Sequence, residues 1–127
     1  MKTKLINVVN ADLTLSQFKN EKLPTPLAYK LFKASKAFSE NVSFYRTKLQ
    51  ALVNDCGKKK EDGTLSTLNG NIELSPDKKD EWNKGYEELK NLEVDIPDDI
   101  SFTLDELSLI RLSANDFENI QDFIKEA

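Results

Sequence analysis

The sequence predicts an α+β domain dominated by helices, with one long amphipathic helix as spine, two to three shorter helices and small β-hairpins. Three observations carry that reading. From Pro26 to Cys56, apolar residues recur every three or four positions with no Gly or Pro inside the run. An Asn69-Gly70 step separates two short apolar-bearing stretches. Ser or Thr, followed by Pro or by an acidic residue three places on, marks several helix starts.

Residues 1–24 read as a strand pair or an arm. Lys4 to Val9 is rich in β-branched residues, Asn10-Ala11-Asp12 suits a turn, and Leu13-Thr14-Leu15 suits a second strand. Leu23-Pro24-Thr25-Pro26 then stops local structure, with Thr25 as N-cap and Pro26 as the first helical residue. The long helix, residues 26–56, aligns Leu27, Leu31, Ala34, Phe38, Val42, Tyr45, Leu49, Leu52 and Cys56. At 1.5 Å per residue it is about 45 Å long, longer than a domain of this size is wide, so part of it projects or packs on another copy. Ala28, Phe32 and Phe44 widen its stripe toward a second surface. Gly57 fits the C′ position, and Lys58, Lys59 and Lys60 fall where positive charge meets the helix C-terminus.

After a turn at Glu61-Asp62-Gly63, residues 64–74 form a hairpin around Asn69-Gly70, because a type I′ turn needs positive φ at both central residues. Ser75-Pro76-Asp77 opens a helix over 76–91 that carries Trp82, Tyr86, Leu89 and Leu92 along one face. Gly85 interrupts it and marks close packing. Trp82 and Tyr86 either form an aromatic contact surface or anchor this helix to the core. Residues 93–126 hold short strands and two capped helices. Val94 and Ile96, then Ile100 and Phe102, alternate with polar residues as two strands or as one broken at Pro97-Asp98-Asp99. Thr103-Leu104-Asp105-Glu106 is a capping box, and Ser113-Ala114-Asn115-Asp116 has the same form before Phe117, Ile120, Phe123 and Ile124.

A chain of 127 residues, 39% apolar and 31% charged, is a single domain, residues 1–127, with room for one modest core. Mean hydropathy is −0.54, and no apolar run approaches the roughly 18–20 residues that span a bilayer. The start, Met1 to Asn7, lacks the apolar stretch of a secretion signal, so no membrane partner is expected. There is no histidine and one cysteine. A Ser-His-Asp triad, a Cys-His dyad and a histidine zinc site are therefore excluded, and no intramolecular disulfide can form. Cys56 reads as a structural residue in the last turn of the long helix. The carboxylate pairs Glu87-Glu88, Asp98-Asp99 and Asp105-Glu106 are adjacent in sequence, which does not hold two acids in different environments. Asp95, Asp98 and Asp99 lack the spacing of a calcium loop. No phosphate-binding glycine motif and no nucleophile elbow is present. The expectation is a non-enzyme without cofactor or metal.

Charge is unevenly spread. Residues 1–60 hold 12 basic and 4 acidic side chains, residues 61–92 hold 4 and 8, and residues 93–127 hold 2 and 10. The total of −4 thus conceals a basic first half and an acidic end. The two parts either neutralise one another or form opposite patches, which favours head-to-tail self-association or two partners. Dispersed lysines and net acidity argue against nucleic acid. The residues singled out for partner binding are Phe32, Phe44, Trp82 and Tyr86, with Asp95, Asp98, Asp99 and Asp105.

From the long helix onward, several strings follow in order, none of them a diagnostic motif: Lys36-Ala37-Phe38-Ser39-Glu40, Tyr45-Arg46-Thr47-Lys48-Leu49, Lys60-Glu61-Asp62-Gly63, Glu87-Glu88-Leu89, Glu93-Val94-Asp95-Ile96 and Leu112-Ser113-Ala114-Asn115-Asp116-Phe117. In this layout, over about residues 25–125, the chain resembles a family of small uncharacterised proteins of tailed phages and prophages of Gram-positive bacteria. The resemblance implies a phage accessory protein in the host cytoplasm, with virion association open, and carries over no functional residue. Its partner would be a phage structural protein, in tail structure or assembly. Alternatively the chain inhibits a host defence enzyme, using its acidic end to imitate nucleic acid. The long helix also offers a route to a homo-oligomer.

Overall fold

The computed structural model describes residues 1–68 and 70–125. It is 59% helical, an α+β arrangement built on one long helix. A short strand, β1 (Lys2–Lys4), leads directly into helix α1 (Leu5–Ser16). The spine is α2 (Thr25–Cys56). A two-residue hairpin follows, β2 (Thr67–Leu68) and β3 (Asn71–Ile72), then a 3-10 turn (Pro76–Lys78) and α3 (Lys79–Lys90). The last third holds β4 (Glu93–Asp95), β5 (Phe102–Thr103), α4 (Leu104–Leu107), α5 (Ala114–Ile120), a second 3-10 turn (Gln121–Phe123) and β6 (Ile124–Lys125).

Three two-stranded pairings tie this together. β1 and β4 are antiparallel, with Thr3 opposite Val94, and β2 and β3 pair as the expected hairpin, whose turn residue Asn69 lies outside the described residues. β5 and β6 run parallel, with Phe102 opposite Ile124. The main core lies where α1 and the last third clasp the first half of α2: Val8, Ala11 and Leu15 meet Leu31, Ala34 and Phe38, closed by Phe102, Ile120 and Phe123. The Phe38 and Phe123 rings sit 5.0 Å apart at 56°, a favoured tilted contact. A smaller cluster joins Leu5, Tyr45 and Leu89. Beyond it, α3 packs along the spine, and bridges from Gly57 to Leu74 and from Lys59 to Leu65 fasten the segments flanking the hairpin to its end.

The expected strand pair in residues 1–24 is corrected to one three-residue strand and a helix. Leu5, Val8, Ala11 and Leu15 are buried at spacings of three and four, and Thr14 is buried beside them. Packing of that face on α2 outweighs the weak strand preference of Ile6, Val8 and Val9. Thr25 is also not a cap: α2 begins with it, after Pro24, and no side chain caps that end. Ser75 likewise precedes its turn without a side-chain cap bond. Gly57 ends α2 in an extended conformation, φ −70° and ψ 141°, rather than a left-handed one. Its requirement is clearance, since a Cβ there would lie 2.6 Å from the Val53 carbonyl oxygen and 2.6 Å from Leu65 Cδ2. Gly85 marks close packing as expected, an added Cβ falling 2.8 Å from Leu52 Cδ1.

Both capping boxes form: Thr103 with Glu106, and Ser113 with Asp116. The final helix stops earlier than its apolar spacing suggests, and Ile124 belongs to a strand, drawn out by pairing with β5. Of the two strands expected around Pro97, the first matches β4, and the second shortens to Phe102–Thr103.

Candidate functional site

Phe32 lies on the outer side of α2. It is 58% exposed and stacks on Tyr29, itself 60% exposed, with centroids 5.9 Å apart. The pair is at helical spacing i, i+3 but off the buried stripe, so no core contact explains it. Beside Phe32 the chain between α1 and α2 folds back and leaves a groove of about 550 Å³. Phe18, Leu23, Ala28 and Leu31 line it with Phe32, and Lys19, Lys36 and Glu21 stand at its margin. Neither lysine has an ion-pair partner among the described residues. Asp12, half-buried near Lys19 and Arg46, has its carboxyl pushed up by burial, against the pull of those cations.

Phe44 is separate from this groove. It borders a shallower one of about 340 Å³ between α2 and α3, with Leu52, Leu89 and Leu92, and Lys48 Nζ lies 5.8 Å above its ring. Trp82 and Tyr86 sit on α3, half-buried, with centroids 5.4 Å apart. Tyr86 carries Lys90 Nζ 4.6 Å over its ring and packs against the cluster of Leu5, Tyr45 and Leu89. Burial, then the neighbouring Tyr86 phenol, pushes the Tyr45 phenol up to about 12. That packing ties α3 to the spine. Phe32, Phe44 and the Trp82–Tyr86 pair therefore occupy three separate places and do not form one patch.

The acidic residues are largely answered by the basic half. The Met1 amine lies 2.7 Å from Asp98 and 3.1 Å from Asp95. Lys33 meets Asp99 at 2.8 Å, Lys30 meets Glu106 at 2.7 Å, and Lys2 reaches Glu93 at 3.6 Å. The hydrogen bond from the amine holds Asp98 below the usual carboxylate range, and that from Lys33 does the same for Asp99. Burial raises Glu106, but bonds from Lys30 and the Thr103 cap outweigh it and its carboxyl is held low. Of the two arrangements the charge distribution allowed, neutralisation accounts for most of residues 93–106. Asp105 is the exception. It is exposed and has no ion pair among the described residues, and it stands between Leu104, 54% exposed, and Leu109, 53% exposed.

Asp95 and Asp98 meet on the Met1 amine, while Asp99 turns to Lys33. Among the described residues no three metal-ligating side chains lie together. Cys56 is fully buried, and burial pushes its thiol up, away from the reactive thiolate. A polar cleft of about 630 Å³ runs past Lys2, Lys4, Glu87 and Lys90, but its Asp122 is already bonded to Thr3 and Asn7. No helix is long and apolar enough to cross a membrane among the described residues.

Reading the sequence missed Tyr29, Phe18 and Leu23 as surface-forming residues. Tyr29 was detectable as an aromatic residue three places before Phe32. The other two depend on how the inter-helix segment folds, for which no local signal exists. No protein-family model, curated protein or solved structure matches the chain.

Proposed function

We propose that this chain is a non-catalytic accessory protein of a tailed phage that acts by protein–protein contact, in tail structure or assembly. The exposed Tyr29–Phe32 stack beside the apolar groove carries this reading. A protein that keeps Phe38 and Phe123 fully dry gains nothing for its own stability by leaving two stacked rings in water. Aromatic residues at the edge of an apolar recess are the typical anchors of protein interfaces. The phage setting is supported by the layout of residues 25–125 described above.

The test is affinity purification of the tagged chain from cells producing the phage, with retained proteins identified by mass spectrometry. A phage structural protein should be held by the wild type and lost with Phe32→Asp. Retention of no phage protein by the wild type, or undiminished retention by the variant, refutes the reading.

A further inference from the structure

The groove has a complement on the same molecule. Its apolar floor is bordered by Lys19 and Lys36, with Glu21 the one acid among the lining residues. Across the fold, Leu104 and Asp105 at the start of α4 and Leu109 just past its end are exposed, and Asp105 has no ion pair among the described residues. Apolar knob with a carboxylate and apolar recess with two ammonium groups are matched in kind and opposite in charge.

They also point in different directions. At about 100° per residue, groove positions 28, 32, 35 and 39 lie roughly 140–200° around α2 from position 30. Lys30 Nζ is the atom that bonds Glu106 of α4 at 2.7 Å. Lys30 therefore engages α4 from the side of the spine away from the groove, and none of Leu104, Asp105 and Leu109 lines the groove of its own molecule.

We propose that a second copy of this chain occupies the groove: Leu104, Asp105 and Leu109 of one molecule seat against Phe32 and between Lys19 and Lys36 of the next. The contact is heterologous, so it repeats head to tail and ends in a ring or a filament rather than a two-fold dimer. This inference rests on the reading of the groove as a protein-docking surface, and a second copy seated there competes with a phage structural protein for Phe32.

Sedimentation velocity over a concentration series, at low and at high salt, provides the test. The wild type should grow beyond a dimer as concentration rises, and salt should oppose growth, because the rim charges attract. Phe32→Asp removes the recess and Leu109→Lys the knob. Each should weaken association about tenfold or more and sediment as a monomer. An equimolar mixture of the two variants retains one intact groove and one intact knob, and should give a 1:1 complex and nothing larger.

Asp105→Lys, at an exposed position, is a second knob variant that stands in if Leu109→Lys does not fold, as judged by circular dichroism. A wild type that stays monomeric to millimolar concentration overturns the proposal. So does a dimer of fixed size that the mixture fails to restore. Leu109→Lys leaves the groove untouched, so continued retention of a phage structural protein by that variant preserves the reading above even where self-association fails.

Discussion

Phe38 and Phe32 stand six residues apart on one helix, and truncating each to alanine should separate a core role from a surface role. Phe38 is fully buried, with its ring against Phe123. Phe38→Ala leaves a cavity and should cost about 3–5 kcal/mol, toward the upper end because an aromatic contact is lost as well. Phe32 hides only about two-fifths of its surface, so its burial is worth roughly 0.6–1.2 kcal/mol on a scale of 1.5–3 for a whole side chain. Alanine returns about 0.5 kcal/mol of helix propensity, leaving a net loss of about 0.1–0.7 kcal/mol. A domain of this size is stable by about 5–15 kcal/mol. The first change should therefore remove a large part of the total, and the second should be hard to detect. Urea unfolding followed by far-UV circular dichroism measures both, with unchanged slope confirming that the unfolded state is comparable. A Phe38→Ala cost under about 1.5 kcal/mol, or a Phe32→Ala cost above about 2 kcal/mol, contradicts the burial on which the groove is argued.

Gly57→Ala should destabilise by about 1–3 kcal/mol through overpacking on the Val53 carbonyl and Leu65, although its φ suits any residue; a thermal melt at or above the wild-type midpoint contradicts the clearance argument. Glu106→Ala removes half of a capping box and the partner of Lys30, and should cost about 0.5–2 kcal/mol, measured by urea midpoint. Folded-state carboxyl pKa values are lowered at Asp98, Asp99, Glu106, Glu87 and Asp62, so the stability they contribute is present above the ordinary range and lost as pH falls through their lowered values. Asp12, raised by burial, has the opposite sign. Melting temperature should accordingly fall below about pH 4, and a flat profile from pH 7 to 3 opposes this sum. Cys56 should resist a thiol reagent in the native protein and react on denaturation; rapid native reaction contradicts its burial.

What could be read from the sequence was local. The three-four spacing from Leu27 to Cys56 yields α2 because each apolar side chain on that face reports the same period. Thr103 with Glu106 and Ser113 with Asp116 are legible because a capping box needs only four consecutive residues. What stayed hidden depends on distant partners. Lys2–Lys4 becomes a strand only against Glu93–Asp95, and Ile124 leaves its helix only to pair with Phe102. Ile6, Val8 and Val9 carry a strand preference that the α2 surface overrules. Phe32 stood out as an apolar residue off the stripe. The recess beside it depends on where Phe18 and Leu23 come to rest, and the pairing of Lys33 with Asp99 on a contact between elements 66 positions apart.

The pairing of β1 with β4 has a consequence for how the chain is made. Thr3 opposes Val94 and donates a hydrogen bond to Asp122, so β1, once synthesised, waits for partners about ninety and more positions behind it. At roughly 5–20 residues per second, that delay is about 5–20 s. Throughout it, Leu5 and Val8 lack the cover that the last third provides, and contacts of such long sequence separation form slowly once available. During that interval the chain is exposed to chaperones and to proteases, and its yield depends on synthesis rate as well as on final stability.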